Sequence, residues 1–190
     1  MPPITGCEAA RANAPLALPP GVYRTGLLRL ANGSQLIGTR GATTLMFTGE
    51  TSLLTSEGAD HIGISNLTLS GGGIPLPERR GLVHCLGGRN LRILDCEITG
   101  SGRNAIWLEN AAGEICGNII EKTATTAIVS FDALGLIVAR NTILDANDNG
   151  IEILRTAIGD DGSIVTGNRI AHIKAGPGGS GQHGTAINAF

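Results

Sequence analysis

The sequence predicts an all-β fold, a right-handed parallel β-helix of about seven coils with three strands in each coil. The first observation is a phrase of Gly or Ala followed by Ile or Leu, which recurs about every 22 residues. It occupies residues 81–84, 105–108, 127–130 and 150–153. The second observation is a partner phrase, in which Ile or Val precedes Asn by three residues, at 115–120, 138–143 and 165–170. The third is the alternation of apolar and polar residues within each phrase, which is the period of a strand.

The coil that begins at Ala105 illustrates the prediction. Its three apolar stretches are 105–109, 114–116 and 119–122, and turns separate them. Strands of successive coils would pair in parallel, and their inward side chains would stack in columns. A leucine-rich repeat is a poorer match, because the units contain no helical stretch and no leucine-rich frame.

The elements follow in order along a single predicted domain, residues 1–190. The expected parts are a short capping helix over 5–14, two irregular coils within 15–70, an inserted loop over 71–80, and regular coils over 81–190 with insertions at 156–162 and 175–184. A cap is expected because the first coil of a solenoid has no preceding neighbour. Phe190 falls inside a first strand, so we expect the chain to be a fragment of a longer solenoid.

Three asparagines mark one corner of the predicted coils. Asn118, Asn141 and Asn168 each precede an Ile by two residues. We expect them to stack as a ladder of inward amides that bond to backbone groups of the turn, with Cys96 and Leu67 continuing the column. Asparagine tolerates the left-handed conformation that such a tight turn needs.

Composition excludes several classes of protein. The 190 residues contain 29 glycines, 42% apolar and only 3% aromatic residues, which suits a solenoid with an aliphatic core. The net charge of −2 gives no electrostatic footprint for nucleic acid. No apolar run is long enough to span a membrane. The four cysteines form no CxxC pair, so neither a metal finger nor a disulfide framework is expected.

Several segments resemble a known superfamily, the pectin/pectate lyase-like β-helix proteins. The opening, residues 8–23, reads EAARANAPLALPPGVY and resembles their capping helix and first strand. Residues 40–49, 70–82 and 149–162 read RGATTLMFTG, SGGGIPLPERRGL and NGIEILRTAIGDDG, and they resemble a bacterial family of repeat proteins that carry a twin-arginine signal. The resemblance implies a longer parent protein and a periplasmic or extracellular location. It supplies no established activity.

The three insertions point to the outward face of the first strands as the candidate site, because insertions in solenoids tend to line the binding face. By alternation, this face should display Val83 and Cys85, Trp107 and Glu109, Val129 and Phe131, Glu152 and Leu154, and Asn188 and Phe190. Asn110, Asp132 and Arg155 lie at the strand ends. An aromatic ring beside carboxylates is typical of a sugar site. The same apolar stripe is also what a face covered by loops or by another subunit would show.

Glu109, Asp132, Glu152 and Arg155 are the catalytic candidates, and Trp107, Phe131, Asn110 and His183 are the candidates for substrate binding. A close carboxylate pair would indicate a glycoside hydrolase. Carboxylates with Arg155 would instead suit a polysaccharide lyase, in which Ca²⁺ holds a uronate. The alternative is that these residues are only a solvated rim.

Other polar residues are assigned structural roles. His84 is placed on an inward phase as a hydrogen-bonded core residue. Asp160 and Asp161, and Gln182 with His183, match fragments of polygalacturonase motifs, but they sit on inserted loops where aspartates usually form turns.

The sequence therefore leaves two hypotheses. In the first, the chain binds or acts on a polysaccharide along the first-strand face, and a uronate-containing polysaccharide is one candidate. In the second, it is a structural or carbohydrate-binding β-helix without enzymatic activity. No cofactor is predicted, apart from Ca²⁺ in the lyase alternative. The expected partners are a polysaccharide and, at the C-terminal end, further coils or another subunit, with neither nucleic acid nor a membrane span.

Overall fold

The protein is a parallel β-solenoid with three seven-stranded sheets, which confirms the predicted fold. The structure is a computed structural model, and it describes residues 15–176 and 184–190. Each coil contributes one strand to each sheet, and every strand pairs in parallel with its counterparts in the neighbouring coils. The predicted capping helix at 5–14 and most of the 175–184 insertion lie outside the described residues.

The three sheets are named A, B and C in the order in which a coil visits them. Sheet A contains β1 Leu16–Ala17, β4 Gln35–Ile37, β7 Gly63–Ser65, β10 Leu91–Leu94, β13 Gly113–Cys116, β16 Leu136–Ala139 and β19 Ile164–Thr166. Sheet B contains β2 Gly21–Thr25, β5 Thr43–Phe47, β8 Thr68–Ser70, β11 Glu97–Thr99, β14 Ile119–Thr123, β17 Thr142–Ala146 and β20 Arg169–Ala171. Sheet C contains β3 Leu28–Arg29, β6 Leu54–Glu57, β9 Gly81–Leu86, β12 Asn104–Glu109, β15 Ile128–Phe131, β18 Ile151–Leu154 and β21 Ile187–Ala189.

The core consists of aliphatic side chains that stack in columns between the sheets. On sheet A the inward column of the last six coils runs Leu36, Ile64, Ile93, Ile115, Val138 and Val165, one residue from each of these coils. The four central members of this column are fully buried. Because every coil supplies the same apolar position, the repeat in the sequence becomes a continuous core.

The asparagine ladder is present at the corner between sheets A and B. Asn118 Nδ2 donates to Asn141 Oδ1 at 2.9 Å, and Asn141 Nδ2 donates to Asn168 Oδ1 at 3.0 Å. The same oxygens accept the backbone N–H groups of Asn118 and Asn141, and Asn118 Oδ1 accepts that of Cys96. Cys96 and Leu67 continue the column as predicted, and both are fully buried.

The left-handed residue of this turn is not the ladder asparagine, contrary to the expectation from the sequence. It is the residue just before it, with φ of 69° at Gly117, 54° at Arg140 and 62° at Gly167. The role of the asparagine lies in its side-chain amide, which donates a hydrogen bond to a carbonyl of the preceding coil. Asn118 Nδ2 bonds to the carbonyl of Ile93, for example. An inward amide satisfies backbone groups that no strand partner could reach.

Candidate functional site

The candidate face is the outer surface of sheet C, which two of the three predicted insertions, 71–80 and 156–162, flank. Residues 71–80 lead from sheet B into β9, and residues 156–162 lead from β18 towards sheet A. Two outward rows run across the strands. The first row is Thr55, His84, Trp107, Val129, Glu152 and Asn188, and the second is Glu57, Leu86, Glu109, Phe131 and Leu154.

One strand was placed wrongly from the sequence. Val83 and Cys85 pair with Ile106 and Leu108, so they point inward, and His84 is on the outward face beside Trp107. The error came from aligning Gly81 with Ala105, whereas β9 pairs Gly81 with Asn104. A slip of one residue exchanges the two faces of a strand.

Trp107 is the centre of a compact cluster on this face. Its ring centroid lies 5.2 Å from that of Phe131, with the planes tilted by 34°. The Arg79 guanidinium, from the 71–80 loop, lies 5.9 Å from the Trp107 ring and 5.4 Å from the Phe131 ring. Both separations are within the range of cation–π attraction. Trp107 is only 6% exposed, although it lies outside the core cluster, so this part of the face is covered.

Glu109 belongs to the same cluster. Its Oε1 accepts a hydrogen bond from Trp107 Nε1 at 2.8 Å and lies 3.8 Å from Arg79 Nη2. The contact with Trp107 follows from strand geometry, because residues two apart share a face. The carboxylate is thereby committed to fixing the tryptophan ring, while its arginine partner remains 69% exposed.

The remaining predicted catalytic residues do not join this cluster. Asp132 accepts from the Thr156 backbone N–H and hydroxyl, both at 2.8 Å. These bonds, with a smaller contribution from Arg155, hold the pKa of Asp132 below its usual value. Arg155 Nε donates to the carbonyl of Ala157 at 2.9 Å. Both side chains therefore fix the turn into the 156–162 loop.

Glu152 is held at the corner between sheets B and C. Its carboxylate accepts from Asn149 Nδ2 at 2.5 Å and from the Thr126 hydroxyl at 3.3 Å. Glu152 lies two strand spacings from Glu109 across the sheet and two residues along the strand. At ordinary sheet spacings their Cα atoms are therefore about 12 Å apart. Phe131 and Val129 occupy the positions between them.

A second set of corner amides, missed from the sequence, positions Glu152. Asn104 Oδ1 accepts from the Thr126 backbone N–H, and Asn149 Oδ1 accepts from that of Thr185 in the same way. The signal was present, because Asn, Thr, Asn and Thr occupy the position just before the Gly/Ala-Ile phrase in successive coils. Alternating amide and hydroxyl side chains can bond across each pair of coils.

The structure describes one of the two remaining predicted binding residues. Asn110 follows β12 with φ of 51°, is exposed, and donates its backbone N–H to the carbonyl of Phe131. His183 lies outside the described residues. Asp160 and Asp161 accept from the backbone N–H groups of Gly162 and Ser163, which is the turn-forming role predicted for them.

Sequence reasoning also missed three residues that lie at the covered part of the face. Arg79 and Arg80 are adjacent in the loop, and their signal was the Glu-Arg-Arg-Gly run that directly precedes β9. His84 is 2% exposed, and its Nδ1 makes no hydrogen bond within the described structure. Burial, with a further contribution from Arg80 and an opposing one from Glu109, lowers the pKa of His84 to about 4.

Two other features bear on the predicted chemistry. Within residues 15–176 and 184–190, no group of three His, Cys, Asp or Glu side chains could hold a metal ion. In the same part of the chain, no helix is long and apolar enough to cross a membrane.

Comparison with known proteins defines the class to which this architecture belongs. Residues 47–188 match the right-handed β-helix region, so the chain belongs to that family. A search of curated proteins gave no match.

Two solved structures share the fold. The A-module of the mannuronan C-5 epimerase AlgE6 of Azotobacter vinelandii superposes with a TM-score of 0.68 over 87% of this chain, at 16% identity. This chain spans about half of that module, 51% of its length. A candidate glycosyl hydrolase of Parabacteroides merdae gives a TM-score of 0.50 at 11% identity, over 87% of this chain and 86% of its own. At such identities the likeness concerns the fold alone.

Proposed function

We propose that the protein binds an acidic, uronate-containing polysaccharide along the outer face of sheet C. The observation that carries the proposal is the cluster of Arg79, Trp107, Phe131 and Glu109. Aromatic rings provide a surface on which the apolar face of a pyranose packs. An arginine that is 69% exposed provides a bidentate donor for a sugar carboxylate.

The positions of the carboxylates favour binding over glycoside hydrolysis. Hydrolases place two carboxyl groups about 5 to 9.5 Å apart across the scissile bond. Glu109 and Glu152 lie two strand spacings apart, with β15 between their strands, and Asp132 is engaged by Thr156. The two solved structures that share this fold are a mannuronan epimerase and a candidate glycosyl hydrolase. Both names refer to activity on saccharides, which is consistent with a carbohydrate ligand here. Export to the periplasm or beyond remains part of the proposal.

The test is a binding titration with two sets of oligosaccharides at mildly acidic pH, where the uronate carboxylates are still largely ionised. Wild-type protein should bind oligouronates, such as oligogalacturonate and oligomannuronate, more tightly than neutral oligosaccharides of the same length. Arg79→Gln should weaken uronate binding by about 10- to 100-fold, the worth of one charge-assisted hydrogen bond. The matched control is Arg92→Gln, because Arg92 pairs with Glu114 on sheet A, away from this face.

Two results would contradict the proposal. One is the absence of binding to either set. The other is equal binding of charged and neutral sugars with no effect of Arg79→Gln.

A further inference from the structure

His84 occupies an unusual position for an outward-facing residue. It lies in the first outward row, between Thr55 and Trp107, yet it is almost completely buried. Its Nδ1 is buried and has no hydrogen-bond partner among residues 15–176 and 184–190. A buried polar atom without a partner carries a free-energy cost, so it requires an explanation.

Charged groups approach His84 from two elements. Arg80, at the end of the 71–80 loop, disfavours a positive charge on the imidazole, and Glu109, on β12, favours it. Arg80 is fixed through its carbonyl, which accepts a hydrogen bond from Asn104 Nδ2 at 2.9 Å. Burial and Arg80 prevail, so the imidazole is neutral while the loop is in place.

Arg79 holds the end of this loop against the face. Its backbone lies in the left-handed region, with φ of 54°, which is uncommon for a residue other than glycine. The side chain lies over the rings of Trp107 and Phe131. The contacts that keep Arg79 there, two cation–π contacts and a 3.8 Å approach to Glu109, are individually weak and partly exposed to solvent.

We propose that residues 77–80 act as a latch over the outer face of sheet C, which opens when His84 is protonated and uncovers Trp107 for the sugar. The inference rests on the proposed function, since it describes the regulation of the same site. Protonated His84 would be repelled by Arg80 and would gain hydration once the latch opens. Loss of the Arg79 contact would then expose the stacking surface of Trp107.

The size of the effect follows from linkage. The proposal assigns His84 an ordinary histidine pKa of about 6.5 in the open state, whereas burial and Arg80 lower the pKa of His84 in the closed state to about 4. Lowering the pH across this interval therefore raises the ratio of open to closed protein by up to about 300-fold. The direction of the change is fixed, because the population of the state that binds more protons rises as the pH falls.

The chain contains one tryptophan, so Trp107 reports on the latch without any label. The experiment is acrylamide quenching of Trp107 fluorescence without ligand, as the pH is lowered from above 6.5 towards 4. Far-ultraviolet circular dichroism of the same samples follows the β-structure. Quenching of the wild type should rise across this interval while the β-signal stays constant.

Two variants make the result specific. His84→Gln, which carries no charge at any pH, should abolish the rise. The matched control His172→Gln replaces a histidine that is 71% exposed and lies near Asp145, and it should behave as the wild type does.

Three outcomes would overturn the latch. They are quenching that does not change with pH, an equal rise in His84→Gln, and a rise that coincides with loss of the β-signal. The experiment contains no sugar, so its failure leaves the binding proposal intact. Conversely, absence of uronate binding at mildly acidic pH would contradict the binding proposal and would not alter the quenching result.

Discussion

Asn141 shows how much one side chain contributes at a corner of the solenoid. Its Oδ1 accepts from the backbone and side-chain nitrogens of Asn118, and its Nδ2 donates to the carbonyl of Ile115 and to Asn168. Each of these four bonds joins Asn141 to the coil before or after its own. A buried amide with every bond satisfied fixes the spacing of the chain, whereas an unsatisfied one would destabilise it.

Asn141→Ala should therefore lower the free energy of unfolding by about 2 to 5 kcal/mol, because it leaves the Asn118 N–H and the Ile115 carbonyl without partners. Chemical denaturation followed by circular dichroism measures the change. Asn147→Ala is the matched control, since Asn147 is exposed, and it should alter stability by less than about 0.5 kcal/mol. Equal effects of the two variants would show that the ladder adds nothing to stability.

At the scale of the element, the 71–80 loop depends on a close backbone approach. Pro75 bridges to Gly102 in the next coil. A Cβ on Gly102 would lie 2.0 Å from the carbonyl oxygen of Ile74, so a larger residue cannot fit without movement of the loop. The glycine therefore keeps the loop close to the body of the solenoid and positions Arg79 over the aromatic rings.

Gly102→Ala should displace this loop and cost about 1 to 3 kcal/mol of stability. We expect greater acrylamide quenching of Trp107 at neutral pH than in the wild type. Gly26→Ala is a suitable control, because the nearest atom to an added Cβ there is 4.0 Å away. Unchanged quenching in Gly102→Ala would mean that the loop does not cover the tryptophan.

The elements also show what could be predicted from the sequence. Strand identity, coil number and the Asn118, Asn141 and Asn168 column followed from a period that is repeated many times. The register of β9 did not, because the 71–80 insertion interrupts the period just before it and Gly81 can be aligned in two ways. The partners of Glu109 and His84 depend on that register and on the loop conformation, which no repeat specifies.

At the scale of the whole molecule, the three described cysteines report on the cooperativity of the core. Cys85, Cys96 and Cys116 are free and buried. Burial raises the pKa of the Cys85 and Cys96 thiols to about 11, and it also raises that of Cys116. The reactive thiolate is therefore scarce at neutral pH while the fold persists.

We expect native iodoacetamide labelling of these thiols to be slow and to proceed at one common rate, that of global opening. Peptide mapping by mass spectrometry measures each cysteine separately. A common rate is expected because each coil is sealed by its neighbours on both sides. Fast modification of Cys116 alone, with Cys85 and Cys96 protected, would instead indicate that the coils open independently.

The asparagine ladder has a further consequence for how such a protein can change in length. Each of these amides bonds only to groups in the coils on either side of its own, and 23 residues separate Asn118 from Asn141. Duplication or deletion of that unit would leave every remaining amide with an equivalent partner, so the molecule can gain or lose whole coils. A change of a few residues at the same corner would break the column, so within the coils that carry the ladder we expect length variation only in the loops beside sheet C.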